Sequence, residues 1–337
     1  LDADISLRSM GKAFERDRPA MEPYLARVAS YQDQPFTALN TAFMEDGGFL
    51  RVGRGVIVEQ PIHLLFLTSP DKSPAISYPR NLVVVGDNSQ VTIVESFIGL
   101  EEGVYWTNAV TEVVLGDHAV VEYLRFQRES EEAFHVATLQ VSQGCSSSLA
   151  VQTFSVGGSL VRDDLNVVLE GEGGICTLNG LSLLSGRQHA DTHTKIDHAM
   201  PNCTSRELYK GILADRSTGV FNGKIVVRQE AQKTDATQTN KNLLLSEEAE
   251  INSKPQLEIL ANDVKCSHGS TVGPLAEEEM FYLRSRGLDQ RSARELLTYA
   301  FAGDLLDNVR MAPLRKNIEN LLFGKFCYKS NRQGRVS

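Results

Sequence analysis

The sequence lacks a long apolar run, an excess of basic residues and any closely spaced pair of cysteines. No run approaches about 18 apolar residues, so no membrane-spanning helix is predicted. The net charge of −9 argues against non-specific binding to nucleic acid. The cysteines are scattered, odd in number and without CxxC spacing, which argues against a disulfide framework or zinc ribbon and predicts a reducing compartment. They are Cys145, Cys176, Cys203, Cys266 and Cys327.

Motifs of common enzyme classes are also missing. The sequence has no P-loop and no GxGxxG pattern, so we expect no ATP site on this chain. GxSxG and HExxH are absent as well. A β-helix enzyme acting on polysaccharide would need clustered catalytic groups and exposed aromatic residues, and the chain has one tryptophan, Trp106.

Three regions differ in pattern and predict three parts of the chain. Residues 1–35 are rich in Ala, Arg, Glu and Met and predict helix. Residues 36–273 hold extended segments, and residues 274–337 return to a helical pattern. There, Leu296, Leu297, Ala300, Phe301, Leu305 and Val309 form an apolar stripe. These helices could cap the open end of a β stack or present the stripe to a partner helix.

Apolar triplets recur before turns in the middle region. They occupy residues 83–85, 113–115, 167–169 and 243–245, with a weaker copy at residues 140–142. Units of roughly thirty residues without intervening helix predict either stacked coils of strands or an antiparallel sandwich. Turns without Asn-Gly or Asp-Gly dipeptides favour the coil.

Cys266 and His268 stand two positions apart in DVKCSHG. On a strand, such residues share a face, with Cα atoms roughly 6.5 Å apart. Both side chains could therefore bind one ion, and thiolate and imidazole suit zinc or iron. Two donors make half of a four-coordinate site. The alternatives are a nucleophile with its base, and a buried cysteine beside a hydrogen-bonded histidine.

A second cluster contains His189, His193, His198 and Cys203. If this segment is a strand, His189 and His193 share a face while His198 turns away. We interpret the cluster as structural hydrogen bonding, with a stand-alone zinc or iron site as the alternative. Cys145, Cys176 and Cys327 are interpreted as packing residues.

Residues 205–288 contain YKGIL, FNGKIVV, QTNKNLLLS, INSKPQLEI, KCSHG and FYLRSRG, in this order. Together they resemble the SufB/SufD family of iron–sulfur cluster assembly proteins, and weaker similarity extends to FTALNTAFMEDG and LLTYAF. The resemblance implies a right-handed parallel β-helix with helical segments on both sides. Because the family is longer at its N-terminus, it also implies that the helical segment in residues 1–35 is truncated.

The KCSHG version of the motif is similar to SufD, and Asn240 stands where SufB-type chains carry a cysteine. The resemblance therefore implies a non-catalytic scaffold that pairs with a SufB-type subunit and binds the SufC-type ABC ATPase through its C-terminal helices. Contact with the sulfur donor system would be indirect. A SufB-like paralogue that itself accepts sulfur is the alternative.

The resemblance also assigns site residues. His268 matches the family's functional histidine at the SufB–SufD interface, with Cys266 beside it, where a transient iron or nascent cluster is shared with the partner. Whether a reduced flavin joins the complex stays open. The candidates for ATPase anchors or their supporting core are Phe281, Tyr282, Leu297 and Phe301. We expect no nucleic acid or membrane partner, and a location in the cytoplasm or, if a leader was removed, in the plastid stroma.

Overall fold

The computed structural model describes residues 4–32, 34–69 and 75–326. After a short N-terminal segment, the chain alternates between two mainly parallel sheets and so winds into a β-solenoid of about eight coils. This confirms the predicted coil and excludes the sandwich.

The first sheet has ten strands, in which all pairs are parallel except β1–β2. They are β1 (Ile5–Ser9), β2 (Gly48–Val52), β4 (Ala75–Ser77), β5 (Arg80–Val85), β7 (Tyr105–Leu115), β9 (Phe134–Gln143), β11 (Leu160–Leu169), β13 (His189–His198), β15 (Thr218–Val227) and β17 (Glu250–Ile259). Apart from β4, which pairs with β7, they follow one another in chain order from β1 to β17.

The second sheet has eight strands, from β3 at one edge to β18 at the other. They are β3 (Ile62–Thr68), β6 (Gln90–Gly99), β8 (Val120–Arg128), β10 (Ser148–Ser155), β12 (Ile175–Leu184), β14 (Thr204–Leu213), β16 (Asp235–Leu244) and β18 (Lys265–Gly273). The last coil therefore ends in two edge strands, β17 and β18.

The predicted repeat corresponds to stacking within the first sheet. Val83 pairs with Val113, Val113 with Val141, and Val141 with Val167, so four of the five triplets are lateral neighbours. The fifth triplet, at residues 243–245, was wrongly grouped with them, because it ends β16 in the other sheet. Its Leu243 packs beneath the C-terminal helices, which require the same apolar character.

Left-handed backbone at the corners keeps the coils in register. The corner residues between the first and second sheet have φ between +52° and +73°; they are Asn88, His118, Ser146, Gly173, Asn202 and Lys233. The N–H of each donates to a carbonyl of the next coil, as from Ser146 to Glu172 and from Gly173 to Pro201. The corners thus form a hydrogen-bonded ladder parallel to the solenoid axis.

The solenoid interior is mainly aliphatic, with a few paired polar groups. Arg125 donates to Glu95 at 2.7 Å and lies 3.3 Å from Asp163, and all three side chains are buried. His135 pairs with Glu129 at 2.7 Å. Pairing of this kind offsets the cost of removing charges from water.

The N-terminal part is less helical than the sequence indicates. Strand β1 precedes α1 (Met10–Arg16) and α2 (Arg18–Met21), and α3 (Pro35–Phe43) follows. The segment around β1 becomes extended because its residues pair antiparallel with β2, which gives the first sheet an extra edge strand. Tertiary pairing here overrides local helix propensity.

The C-terminal helices are α4 (Glu277–Ser285), α5 (Gln290–Asp307) and α6 (Ala312–Phe326). Helices α5 and α6 pack on the outer face of the second sheet, against side chains such as Leu181 and Ile212. They leave the strand edges at the end of the solenoid exposed, so the capping alternative is wrong. Among the described residues, no helix is long and apolar enough to cross a membrane.

The predicted stripe on α5 is only partly the packed face. The structure buries Leu305 and Val309, whereas Leu296 keeps 46% of its surface exposed. The packed face also includes Ala293, Thr298, Ala302 and Leu306, which lie outside the predicted stripe. The stripe was therefore right for Phe301, Leu305 and Val309 and wrong for Leu296.

Candidate functional site

Strand β18 carries Cys266 and His268 at the open end of the second sheet. It pairs with β16 on one side only, so its other backbone edge is free within the described part of the chain. The strand predicted from DVKCSHG is therefore present, and it is an edge strand.

The register shows which way the two side chains point. Cys266 pairs with Ala236 and His268 with Gln238, and both partners are buried inside the solenoid. Since pairing in a parallel sheet keeps facing constant, Cys266 and His268 continue the inward-facing rows. They lie on the same face, as the two-residue spacing predicts.

The last coil leaves this inward face open. Cys266 is half-buried against the core, while His268 is exposed. Burial raises the pKa of the Cys266 thiol, and the nearby Asp235 charge raises it further, while the Ala236 N–H lowers it. Since the thiol is the favoured form at neutral pH, a metal would have to displace its proton.

The opposite wall of this end is formed by β17. Ser253 and Ser270 meet across the interior with their hydroxyl oxygens 2.8 Å apart. Pro255 lies beside Gly223 of β15. Proline within a strand is confined to edges and bulges, so its presence is consistent with β17 as an edge strand.

Directly beneath His268 lie two buried polar residues that no motif pointed to. The Gln238 Nε2 donates to Glu207 Oε2 at 2.7 Å. Burial raises the pKa of the Glu207 carboxyl to about 7, against the lowering effect of hydrogen bonds from Thr194 and Gln238. The sequence does contain one signal for these polar residues on β16. The alternating pattern of DATQTNKNLL places Gln238, Asn240 and Asn242 on one face of the strand.

Within residues 4–32, 34–69 and 75–326, no three His, Cys, Asp or Glu side chains are grouped as a metal site. Cys266 and His268 by themselves offer two potential ligands on one face of β18. Chemically, the open end could supply one imidazole and one thiol to an ion whose other ligands come from elsewhere.

The second histidine cluster is dispersed by strand β13. His189 and His193 face outwards, where His189 Nδ1 lies 2.6 Å from Thr218 Oγ1 and His193 Nε2 lies 3.0 Å from Asp191. His198 faces inwards, 2.9 Å from Ser205 Oγ, and burial lowers its pKa to about 4. The contacts fit the structural interpretation.

The remaining cysteines have different surroundings. Cys176 and Cys203 are buried, whereas Cys145 is exposed at a corner. The packing interpretation is therefore wrong for Cys145, which lies at a turn rather than in a strand. Cys327 lies outside the described residues.

The four candidate anchor residues separate into two groups. Phe281 and Tyr282, on α4, are 75% and 58% exposed. Leu297 is half-buried on α5, and Phe301 packs against the sheet with the Lys210 ammonium 4.9 Å from its ring centre. Lys210 also donates to the Phe301 carbonyl at 2.7 Å, which ties α5 to β14.

Comparison with protein families gives two matches that together cover most of the chain. The family described as "SUF system FeS cluster assembly, SufBD core domain" matches residues 66–301. The SufBD protein N-terminal region matches residues 1–64.

Individual relatives agree with these matches. The chain is 39% identical over 323 residues to an iron–sulfur cluster assembly SufBD family protein of Synechocystis sp., covering 94% of this chain and 71% of that protein. It is 32% identical over 289 residues to the iron–sulfur cluster assembly protein SufD of Escherichia coli, covering 85% and 68%. A chloroplastic protein of Arabidopsis thaliana is 34% identical over 296 residues, covering 86% and 62%.

Proposed function

The chain belongs to the SufBD family of the SUF iron–sulfur cluster assembly system, and from this we propose that it is the SufD-type scaffold of a SufB–SufC–SufD complex. It binds a SufB-type subunit at the open end of its solenoid and the SufC-type ATPase at its C-terminal helices. The nascent cluster is the cargo of the complex, and this chain contributes ligands rather than a catalytic centre.

The observation that carries the proposal is the incomplete donor pair at the open end. Cys266 and His268 face the solenoid axis at the last coil, where a further subunit would cover them. Neutral imidazole binds iron through a ring nitrogen, and thiolate binds it after losing its proton. The missing ligands would come from the SufB-type subunit.

The two edge strands support a strand-to-strand junction. Exposed edges present unpaired N–H and C=O groups to another chain, and proteins commonly use them for β-strand addition. Along β18, residues 267–272 are exposed, and Val272 keeps 48% of its surface. A partner strand would satisfy these backbone groups and enclose His268.

The helices support coupling to an ATPase. Phe281 and Tyr282 are exposed and can act as anchors on α4, while Leu297 and Phe301 form the supporting layer. Helix α5 contacts the second sheet within two strands of β18: Lys210 of β14 pairs with Asp304 at 2.6 Å, and Arg294 donates to the Leu245 carbonyl, just after β16. An ATPase that binds the open and closed states of the junction with different affinity would shift their balance.

A role as the sulfur acceptor is less well supported. Asn240, in the position of the SufB-type cysteine, is buried on β16 and donates from Nδ2 to the Tyr209 carbonyl at 3.2 Å. An amide is not a nucleophile for sulfur transfer, since thiolates perform this chemistry. We therefore assign sulfur acceptance to the partner.

The proposal predicts that His268→Ala abolishes most cluster formation. The complex co-expressed with its SufB- and SufC-type partners should assemble normally, while anaerobic reconstitution yields at least about tenfold less cluster by visible absorption, because an iron ligand is missing. His193→Ala is the matched control, since His193 faces outwards on the same solenoid. An unchanged yield in the assembled His268→Ala complex would sink the proposal.

A further inference from the structure

The amide of Gln238 is held in one orientation directly beneath His268. Its Nε2 donates to Glu207 Oε2 at 2.7 Å, and both side chains are almost completely buried. In the opposite sheet, a Cβ added at Gly223 would lie 2.3 Å from Gln238 Nε2, so this glycine leaves the space that the amide fills.

The other end of this amide is an unused acceptor. Gln238 Oε1 is buried and has no hydrogen-bond partner among the described residues. The amide nitrogen faces Glu207 on β14, which is the orientation that this side chain requires when it is ionised, above its pKa of about 7, because a carboxylate only accepts hydrogen bonds. The amide oxygen is then turned away from β14, and the next residue in this row is His268 on β18.

Neighbouring rows do not offer the same group. Ala236, beneath Cys266, has no polar side-chain atom. Asn240 lies beneath Ser270, and its Oδ1 already accepts from Asn242 Nδ2 at 2.6 Å. Of these three rows, only the one under His268 has an inward-facing acceptor that is still free.

We propose that Gln238 is a positioning residue for His268: its Oε1 accepts the N–H of one ring nitrogen and leaves the other nitrogen free for iron. Glu207 acts through Gln238 by fixing the direction of the amide. This inference rests on the proposed function. Its chemical reason is that a hydrogen bond to one imidazole nitrogen sets the tautomer and orientation of the ring at a metal site.

Two double variants separate positioning from packing. Glu207→Leu with Gln238→Leu removes the donor and the acceptor of this hydrogen bond together, so that neither residue of the pair is left with an unpaired buried group. Glu207→Gln with Gln238→Glu reverses the hydrogen bond but keeps an acceptor beneath His268. Circular dichroism and co-purification with the SufB- and SufC-type partners check that each variant folds and assembles.

The first readout is the affinity of the purified complex for Fe²⁺, measured anaerobically by competition with a chelator. The double leucine variant should bind Fe²⁺ about tenfold to hundredfold more weakly, while the swapped variant should bind within a few-fold of wild type. The second readout is the electron spin echo modulation of the reconstituted, reduced complex. The nitrogen signal that His268→Ala removes should change in the double leucine variant and return in the swapped one.

The outcomes separate this inference from the proposed function. If His268→Ala weakens Fe²⁺ binding while the folded double leucine variant keeps wild-type affinity and an unchanged nitrogen signal, the inference is overturned and the function stands. If His268→Ala changes neither readout, both are overturned. Loss in the double leucine variant without recovery in the swapped variant also overturns the inference, because an acceptor would not be what matters.

Discussion

At the scale of single residues, the buried Glu207 makes the stability of the fold depend on pH. Its pKa of about 7 lies above the ordinary value of 4.5 because burial disfavours the carboxylate. The folded state therefore holds the proton more tightly than the unfolded state. This stabilises the fold fully below pH 4.5, and the contribution is lost as the pH rises through about 7.

We therefore predict that Glu207→Gln removes a fall in stability between pH 5 and pH 8. The pKa difference corresponds to about 3 kcal/mol of unfolding free energy, and glutamine keeps the shape and an acceptor for Gln238. Urea unfolding of the wild type and the Glu207→Gln variant at several pH values measures this difference in unfolding free energy. Comparing the two curves cancels the opposite titration of His198, which is present in both; parallel curves would contradict the prediction.

The residues of the candidate site differ in how visible they are in the sequence. Cys266 and His268 stand in a short motif on a strand, so their shared face follows from the two-residue spacing. Gln238 and Glu207 are far from them in the chain, and only the parallel register places Glu207, Gln238 and His268 in one row across three strands. Register between strands about thirty residues apart depends on the length of each corner, which local patterns do not specify.

At the scale of elements, the corners set the coil register through left-handed backbone. Gly173 has φ +73°, and its N–H donates to the Pro201 carbonyl at 3.1 Å. The five equivalent corners have a residue other than glycine at this position. At these corners the left-handed backbone costs conformational free energy. Since these residues share no common type, the sequence repeat showed the strands but not the corner ladder.

Gly173→Ala should lower the free energy of unfolding by about 1 kcal/mol. Alanine is strained at this φ, and its Cβ would lie 3.3 Å from Ser146 Oγ. Gly303→Ala is the control, because Gly303 lies within α5 and a Cβ added there would meet nothing within 4 Å. Alanine at this helical position should stabilise the fold by about 0.5–1 kcal/mol. Equal effects of the two changes in chemical denaturation would contradict the role given to the corner.

The helical elements show a different limit of sequence reasoning. All three C-terminal helices were predictable from composition, and the left-handed Gly287 follows α4 as expected for a helix stop. The packed side of α5 was only partly predictable, because Ala293, Thr298 and Ala302 lie on it beside Leu305 and Leu306. Which face is covered depends on the shape of the sheet surface, which several distant strands form together.

At the scale of the whole molecule, the strands of the solenoid pair with their neighbours along both sheets, and the last coil ends in two edge strands. Helices α5 and α6 cover one face, while β17 and β18 end in free edges within the described part of the chain. The inward-facing donors of β18 lie at this open end, where a second subunit can reach them. We therefore expect iron to be held by this chain and its partner together.

The most direct test is an anaerobic Fe²⁺ titration, by chelator competition, of the isolated chain, the isolated SufB-type subunit and the assembled complex. We predict a tight site in the complex that neither subunit has alone, and its loss in a complex carrying His268→Ala. If the isolated chain binds Fe²⁺ as tightly as the complex, or if the His268→Ala complex keeps the site, the shared site is contradicted.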